Sequence, residues 1–317
     1  MKNFINIISF VSAIMKKRRD KSKLKLILIT IAAVLFTLFI FIPVLFSLFG
    51  HSRSGNVALI PLEGPIGGSG GSFGSSSISS KEIVSFIEDA DKNSEVKVLL
   101  LKIDSPGGSA VASDEIAVAV KKAKKPVVAL IGEAGASGAY WIASATDHII
   151  ANRMSITGSI GVISSYLEFS GLMEKYGVGY EQLIAGNYKD LGTPYKKLSG
   201  PERKILQQKL DKIHDFFIEE VAANRHLEVA QVQKIATGEF YLGDEALQLG
   251  LVDQLGGKDE AEAYIQQQYG LPEIEYVTYE HQAGLLDLFT KVISSFFFKM
   301  GEGIGSMLTK QQFDFSV

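Results

Sequence analysis

The 317-residue chain contains no cysteine. Disulfide bonds, zinc–thiolate sites, iron–sulfur clusters and a cysteine nucleophile are therefore excluded. Basic charge is not in excess either, since 32 Lys and Arg residues stand against 35 Asp and Glu residues. A net charge of −3 disfavours a nucleic-acid-binding protein with a broad basic surface. The hydrophobic fraction of 46% is nevertheless enough for a buried core, which excludes a disordered or fibrous chain.

Histidine is also scarce. None of the five histidines lies beside a serine in a turn, and none pairs with a carboxylate at a spacing typical of metal ligands. We interpret them as surface or core residues, which disfavours a histidine-based triad and a metallohydrolase, and we predict no cofactor. They are His51, His148, His214, His226 and His281.

The charge that is present is unevenly distributed along the chain. Residues 1–25 hold eight Lys and Arg residues against one Asp, and residues 26–49 are uncharged and rich in Leu, Ile and Phe. As a helix this run would be roughly 36 Å long, enough to cross a bilayer core of about 30 Å. It is longer than the apolar region of a signal peptide, and a buried core helix rarely runs this far without a charge. The pattern predicts a retained transmembrane anchor with a cytoplasmic N-terminus and an extracytoplasmic domain.

The predicted organisation follows from that anchor. A cytoplasmic basic segment (1–25) and the transmembrane anchor (26–49) are followed by a linker (50–56), a globular domain (57–271) and a C-terminal extension (272–317). In the extension, the stretch 285–300 has apolar residues at helical spacing. It could form a core or subunit-contact helix, or a helix lying on the membrane surface.

Strands and helices alternate through the globular domain, which predicts an α/β layered fold. The run 96–103 (VKVLLLKI) is a continuous stretch rich in Val, Leu and Ile, of the kind found in parallel strands that are buried on both faces. Strands are predicted at 57–61, 96–103, 127–131, 148–151, 160–168 and 181–185, and helices at 80–91, 109–124, 137–145, 170–176, 199–224 and 229–237.

Two glycine-rich turns follow buried strands, at the sheet edge where ligands of parallel sheets gather. Ser137 lies in one of them, at the start of a predicted helix. Its small neighbours would let a substrate backbone approach, and N–H groups at a helix start can stabilise an oxyanion. The alternative is a plain N-cap serine, because Ala139 replaces the second glycine of the G-x-S-x-G motif.

The second turn, Ser105–Gly108, could supply another oxyanion donor or could be an ordinary strand–helix turn. Ser137 would also need a base, for which Lys189 in the run 185–194 is the candidate. A lysine acts as a base only when its surroundings lower its pKa, and a single loop lysine is ordinarily a solvated charge.

Taken together, these segments resemble the signal peptide peptidase A family, which are membrane-anchored serine proteases of the S49 type. The resemblance spans residues 57–271 and implies the Clp protease/crotonase-like fold with an N-terminal transmembrane helix. Asp104–Gly108 resembles the family's D/N-S-P-G-G turn, and Ala136–Tyr140 resembles its A-S-G-G-Y segment. The Lys189-Asp190 pair is similar to the segment that carries the family's general base. The departures are Ala139 and Lys196, the latter near a position where many members have arginine.

The resemblance implies a role for each of five residues. Ser137 would be the nucleophile, Lys189 the general base, and Ser159 the residue that orients Lys189. The backbone N–H groups of Gly108 and Gly138 would hold the oxyanion. Hydrophobic peptides, chiefly released signal peptides, would be the substrates, and the protein would form a homo-oligomer with composite active sites.

Three other readings remain open at this stage. The first is another Clp-class membrane protease that cuts different substrates. The second is a crotonase-like acyl-CoA hydratase, which would keep the glycine turns but would have no use for the pairing of Ser137 with Lys189. The third is an inactive scaffold, against which the retained site residues argue.

Overall fold

The computed structural model describes residues 25–37, 41–42, 54–68, 77–280 and 299–300. The chain divides into two compact units, residues 1–53 and 54–317. In the first unit, residues 25–36 are helical, and most of the remaining predicted anchor lies outside the described residues. No helix within the described ranges combines the length and the apolar character needed to cross a membrane. The predicted basic segment and nearly all of the 285–300 stretch also lie outside those ranges.

The second unit is built on a sheet of mostly parallel strands. The sheet order is β10-β1-β4-β5-β6-β9, and every pair along this path is parallel. β7 pairs in parallel with the end of β5 and antiparallel with β8, while β2 and β3 form a separate small sheet. The strands are β1 (Val57–Glu63), β2 (Ile66–Gly67), β3 (Ile78–Ser79), β4 (Val98–Ser105), β5 (Val127–Ala136), β6 (His148–Ala151), β7 (Ile156–Gly158), β8 (Phe240–Leu242), β9 (Gln254–Leu255) and β10 (Tyr276–Thr278).

Helices cover both faces of this sheet. The longest one starts at a capping box, in which Ser199 and Glu202 bond to each other's backbone N–H groups. In the second unit, the helices of the described residues are α1 (Ser80–Lys92), α2 (Ala110–Lys122), α3 (Gly138–Ser144), α4 (Ser170–Lys175), α5 (Gly200–Arg225), α6 (Val229–Ile235), α7 (Gly243–Gln248) and α8 (Lys258–Tyr269).

The central strand β4 shows why the sheet is buried on both sides. Leu99 and Leu101 face the larger core, which includes buried residues of α1, α2, α3 and α5. Val98 and Leu100 face the smaller core, which is closed by Ala261 and other residues of α8. A strand with apolar side chains on both faces is stable only between two layers. The sequence of residues 96–103 predicts this arrangement.

Two predicted strands are wrong. Residues 160–168 and 181–185 are irregular. The strand in this part of the chain is β7, which ends before residue 160. Ile160 is buried, but other apolar side chains of these segments point outward instead of into a sheet, since Ile163 is 90% exposed and Leu183 is 95% exposed. A periodic pattern of apolar residues indicates an apolar surface, but a strand also requires a neighbouring strand with which its backbone can form hydrogen bonds.

The mixed α/β architecture with a mostly parallel sheet is confirmed and fits the Clp/crotonase-like layered fold. β5 runs five residues further than the predicted end at Ile131, as far as Ala136. This extension passes a register irregularity with β4 between Ile103 and Ser105, and it ends directly before Ser137. The longer strand is therefore what brings Ser137 to the sheet edge.

Candidate active site

Ser137 occupies a sharp elbow between β5 and α3. Its backbone has φ 54° and ψ −125°, a combination that non-glycine residues rarely adopt. The turn is held on both sides, because the Ser137 N–H donates to Gly158 O at 2.8 Å and its carbonyl accepts from Trp141 N at 3.0 Å. Backbone strain of this kind persists only where the surrounding structure enforces it, and it is concentrated at functional sites.

The glycine turn after β4 packs directly against this elbow. A Cβ atom on Gly107 would lie 2.6 Å from Gly138 N and 2.9 Å from Ser137 Cβ. A Cβ atom on Gly108 would lie 2.1 Å from Ile66 O, so a side chain at either position would force the neighbouring backbone to shift. The two glycine-rich segments predicted from sequence therefore meet at one point.

The meeting point leaves two N–H groups available. Among the described residues, neither the Gly108 nor the Gly138 N–H has a backbone acceptor. The two groups are close, since a Cβ atom on Gly138 would lie 3.3 Å from Gly108 N. Two adjacent donors beside a serine hydroxyl are the arrangement that an oxyanion-stabilising site requires.

Asp104 fixes the strand that leads to Ser137. Its Oδ1 accepts hydrogen bonds from Glu133 N at 2.6 Å and Ala134 N at 3.3 Å. Gly132 lets this carboxylate approach, because a Cβ atom there would lie 2.4 Å from Asp104 Oδ2. The aspartate of the Asp104–Gly108 turn thus has a structural role in shaping β5.

Ser159 lies beside Ser137, one residue beyond β7. Its φ is also positive, at 50°. Its N–H donates to Glu239 O at 3.0 Å, and its hydroxyl donates to Gly238 O at 3.3 Å. Ser159 is therefore held by the segment that leads into β8.

A cavity of about 730 Å³ opens over these groups. Four of the five predicted site residues line it: Ser137, Gly138, Gly108 and Ser159. Trp141 and Phe217, also in its lining, stack with their ring centroids 4.7 Å apart. The space beside Ser137 is large enough for several side chains and has an aromatic wall.

The structure does not bring Lys189 into this cavity within one chain. Lys189 is exposed and lies in a turn, where its N–H donates to Gly186 O at 3.1 Å. It is not among the residues that line the cavity with Ser137. The role predicted for Lys189 therefore stays a prediction.

Helix α5 is the part of the site that sequence reasoning missed. One face of α5, with polar and apolar side chains at helical spacing, lines the cavity. This face includes His214, which we interpreted from the sequence as a surface or core residue. His214 Nε2 lies 3.2 Å from Ile160 O. The spacing along the helix could have indicated a common face, but not the cavity that it lines. The α5 residues are Gln207, Leu210, Asp211, Ile213, His214 and Phe217.

Within the described ranges, no group of three or more His, Asp or Glu side chains could hold a metal ion. The groups near Ser137 are hydroxyls, backbone N–H groups and the α5 side chains. The chemistry that these groups support is nucleophilic attack with oxyanion stabilisation.

Comparison with known proteins agrees with this chemistry. A family model described as peptidase family S49 matches residues 119–271. A putative protease of Methanocaldococcus jannaschii is 36% identical over 229 residues, which is 71% of this chain and 72% of that protein. A putative signal peptide peptidase of Enterococcus faecium is 36% identical over 189 residues, 59% of this chain and 55% of that protein. Protease 4 of Haemophilus influenzae is 36% identical over 182 residues, 56% of this chain and 29% of that protein.

The layered α/β fold and these matches define a serine protease. The chain belongs to peptidase family S49. It spans little more than half of the Enterococcus relative and under a third of the Haemophilus one.

Proposed function

We propose that this protein is a membrane-anchored endopeptidase that degrades released signal peptides and other hydrophobic peptides with a Ser137–Lys189 dyad. One observation carries the catalytic part of the proposal. Ser137 stands at a strained elbow beside two N–H groups, those of Gly108 and Gly138, that have no backbone acceptor among the described residues. This arrangement suits attack on a carbonyl followed by stabilisation of the resulting oxyanion.

The base is supplied by a neighbouring copy of the chain. Lys189 lies outside the cavity of its own chain, in a region from 163 to 195 that exposes large apolar side chains. Exposed apolar surface of this extent favours an interface. A second copy covering it would bury these side chains and bring Lys189 to the Ser137 of its neighbour. They include Ile163, Leu167, Leu172, Tyr176, Val178, Leu183 and Tyr188.

The reaction then follows from the groups assembled. Lys189, as a free amine, takes the proton of Ser137 Oγ while the oxygen attacks the peptide carbonyl carbon. The Gly108 and Gly138 N–H groups hold the negative oxygen of the tetrahedral intermediate. Collapse breaks the C–N bond, and Lys189 returns its proton to the leaving amine. Water, activated by the same lysine, hydrolyses the acyl-enzyme.

The walls of the cavity support hydrophobic peptides as the substrate class. Trp141 and Phe217 contribute apolar lining to the cavity beside Ser137. The Enterococcus relative, a putative signal peptide peptidase, agrees with this class. A protease of the same type that cuts other peptides is the alternative.

Anchoring rests on the sequence of residues 1–49. The apolar run 26–49 would cross the membrane, and the basic residues before it would keep the N-terminus in the cytoplasm. The full chain should remain with membranes after an alkaline wash, whereas a chain that lacks residues 1–50 should be released. Release of the full chain would contradict the anchor.

The catalytic proposal is tested by cleavage of a peptide with a hydrophobic residue before the scissile bond. The full chain should cleave it, Ser137→Ala should not, and an acyl-CoA hydration assay should be negative for both. Cleavage by Ser137→Ala at the wild-type rate would contradict the assignment of the nucleophile. A substrate panel of signal peptides and soluble polar peptides then separates the proposed substrate class from its alternative.

A further inference from the structure

An ion cluster joins the turn that carries Lys189 to the start of α5. Lys196 Nζ lies 2.6 Å from Asp190 Oδ2 and 2.8 Å from Glu202 Oε1. Both carboxylates are buried, with side chains only 3% and 5% exposed. Asp190 directly follows Lys189, so the cluster holds the chain one residue away from the proposed base.

The Glu202 side of the cluster is fixed independently of Lys196. Glu202 Oε2 accepts hydrogen bonds from Ser199 N at 2.8 Å and from Ser199 Oγ at 2.7 Å. These bonds belong to the capping box at the start of α5, the same helix that lines the cavity over Ser137. Lys196 therefore connects Asp190 to a rigid part of the site.

Lys196 and Glu202 are both charged in the neutral pH range. The hydrogen bond from Lys196, followed by those from Ser199, lowers the pKa of Glu202 to about 2. The hydrogen bonds to Asp190 and Glu202 raise the pKa of Lys196 above its ordinary value. Lys196 lies between two buried carboxyl groups, and its removal would leave both without the cation that contacts them in the described part of the chain.

Within residues 186–193, the backbone hydrogen bonds that hold this turn are local. Lys189 N donates to Gly186 O at 3.1 Å, and Thr193 N donates to Asp190 O at 3.0 Å. Asp190 Oδ1 is buried and has no hydrogen-bond partner among the described residues. Within the described ranges, the carboxyl group of Asp190 bonds to one side chain, through the contact between Oδ2 and Lys196 Nζ. The link from Asp190 to α5 therefore depends on the ammonium group of Lys196.

We propose that Lys196 is a positioning residue, which sets the location of Lys189 by bridging Asp190 and Glu202. The inference rests on the proposed dyad and adds residues that do not themselves touch the substrate. A misplacement of about 1 Å in a catalytic group can reduce a rate by about 100-fold. Breaking the bridge should therefore lower kcat and leave the substrate-binding walls unchanged.

The test compares three variants of the full chain on the hydrophobic peptide. Lys196→Met should lower kcat by roughly 10- to 100-fold with KM changed less than about threefold. Lys196→Arg should retain most of the wild-type kcat, because a guanidinium can bridge two carboxylates. Lys204→Met removes the same charge from an exposed position early in α5 and should behave as wild type. Size-exclusion chromatography and thermal melting establish that each variant folds and assembles.

A folded Lys196→Met with wild-type kcat, or Lys196→Arg as impaired as Lys196→Met, would overturn the inference. If Lys196→Met does not fold, Asp190→Asn keeps the side-chain size and removes one charge. It should lower kcat about tenfold, since charge-assisted hydrogen bonds are roughly twice as strong as neutral ones, and unchanged kcat would again overturn the inference. Lys189→Ala separates the two proposals. If Lys189→Ala is inactive and Lys196→Met is active, only the positioning role fails, whereas an active Lys189→Ala removes the dyad and the positioning role together.

Discussion

Ser137 and Ser159 stand side by side, each one residue beyond a paired strand end. Ala136 of β5 is in register with Gly158 of β7, and the Ser137 N–H donates to Gly158 O at 2.8 Å. Both serines have positive φ, 54° and 50°. The pairing of two strands thus places two hydroxyl-bearing residues in strained conformations at the mouth of one cavity.

Because the backbone of Ser137 is strained, we predict that the residue proposed as the nucleophile lowers the stability of the fold. Ser137→Gly should raise the free energy of unfolding by about 1 kcal/mol, because glycine relieves a strain of about 1–3 kcal/mol and costs about 0.5–1 kcal/mol in chain entropy. Ser137→Ala should leave stability near that of wild type, since alanine keeps the strain. Urea denaturation measures both, and equal stabilities for the glycine and alanine variants would argue against strain.

The two oxyanion glycines should respond differently to a methyl group. A Cβ atom on Gly138 would lie 2.3 Å from Ser113 Oγ, which is buried and has no hydrogen-bond partner in the described part of the chain. A Cβ atom on Gly108 would instead meet the backbone of Ile66. Gly138→Ala should therefore be destabilised by roughly 1–3 kcal/mol, and adding Ser113→Ala should recover part of the loss.

Gly108→Ala is the matched control, because the backbone of Ile66 cannot be trimmed. Adding Ser113→Ala to Gly108→Ala should recover nothing. Thermal unfolding of these four variants, of Ser113→Ala alone and of the wild type gives the coupling between the sites. The same recovery in both backgrounds would show that Ser113 does not act by contact with Gly138.

Acid should weaken the fold through Glu202. The folded-state pKa of Glu202 is about 2 against an ordinary value of 4.5, because Lys196 and Ser199 bond to the carboxylate. A lowered folded-state pKa contributes stability that is fully present above pH 4.5 and is lost as pH falls toward 2. Unfolding free energies measured between those pH values should fall less steeply for Glu202→Gln than for wild type. Parallel slopes would contradict this assignment.

His214 should not be the base. It lines the cavity with Ser137, but its Nε2 lies 3.2 Å from the Ile160 carbonyl, an acceptor that an imidazole N–H satisfies. His214→Ala should change KM more than kcat, whereas loss of a general base typically lowers kcat by about 100- to 10,000-fold. A loss of kcat as deep as that of Ser137→Ala would make His214 the better candidate.

The sequence predicted the central sheet well because its signal is local. The run 96–103 is apolar on both faces apart from Lys97 and Lys102, and such a pattern is typical of a strand between two layers. The glycine turns were likewise placed correctly at the ends of β4 and β5. Their contact through Gly107 depends on the parallel pairing of β4 with β5, two strands that follow one another in the chain.

The rest of the fold and of the site could not be predicted, because it depends on contacts between segments, and local sequence patterns do not specify those contacts. Residues 181–185 were predicted as a strand, but no neighbouring strand exists for them among the described residues, and Leu183 is exposed. The contribution of α5 to the cavity required knowing which helix face turns toward Ser137. Lys196 bridges Asp190, six residues before it, and Glu202, six residues after it. The chain turns between them, so no helical or strand periodicity indicates this contact.

The measurement that tests the central claim most directly is co-expression of Ser137→Ala with Lys189→Ala. Each variant alone should be inactive on the hydrophobic peptide. In mixed oligomers with random arrangement, an intact Ser137 should meet an intact Lys189 from its neighbour at about a quarter of the sites, with activity restored in proportion. Inactive mixtures of correctly assembled oligomers would contradict a shared site, and activity of Lys189→Ala alone would contradict the dyad.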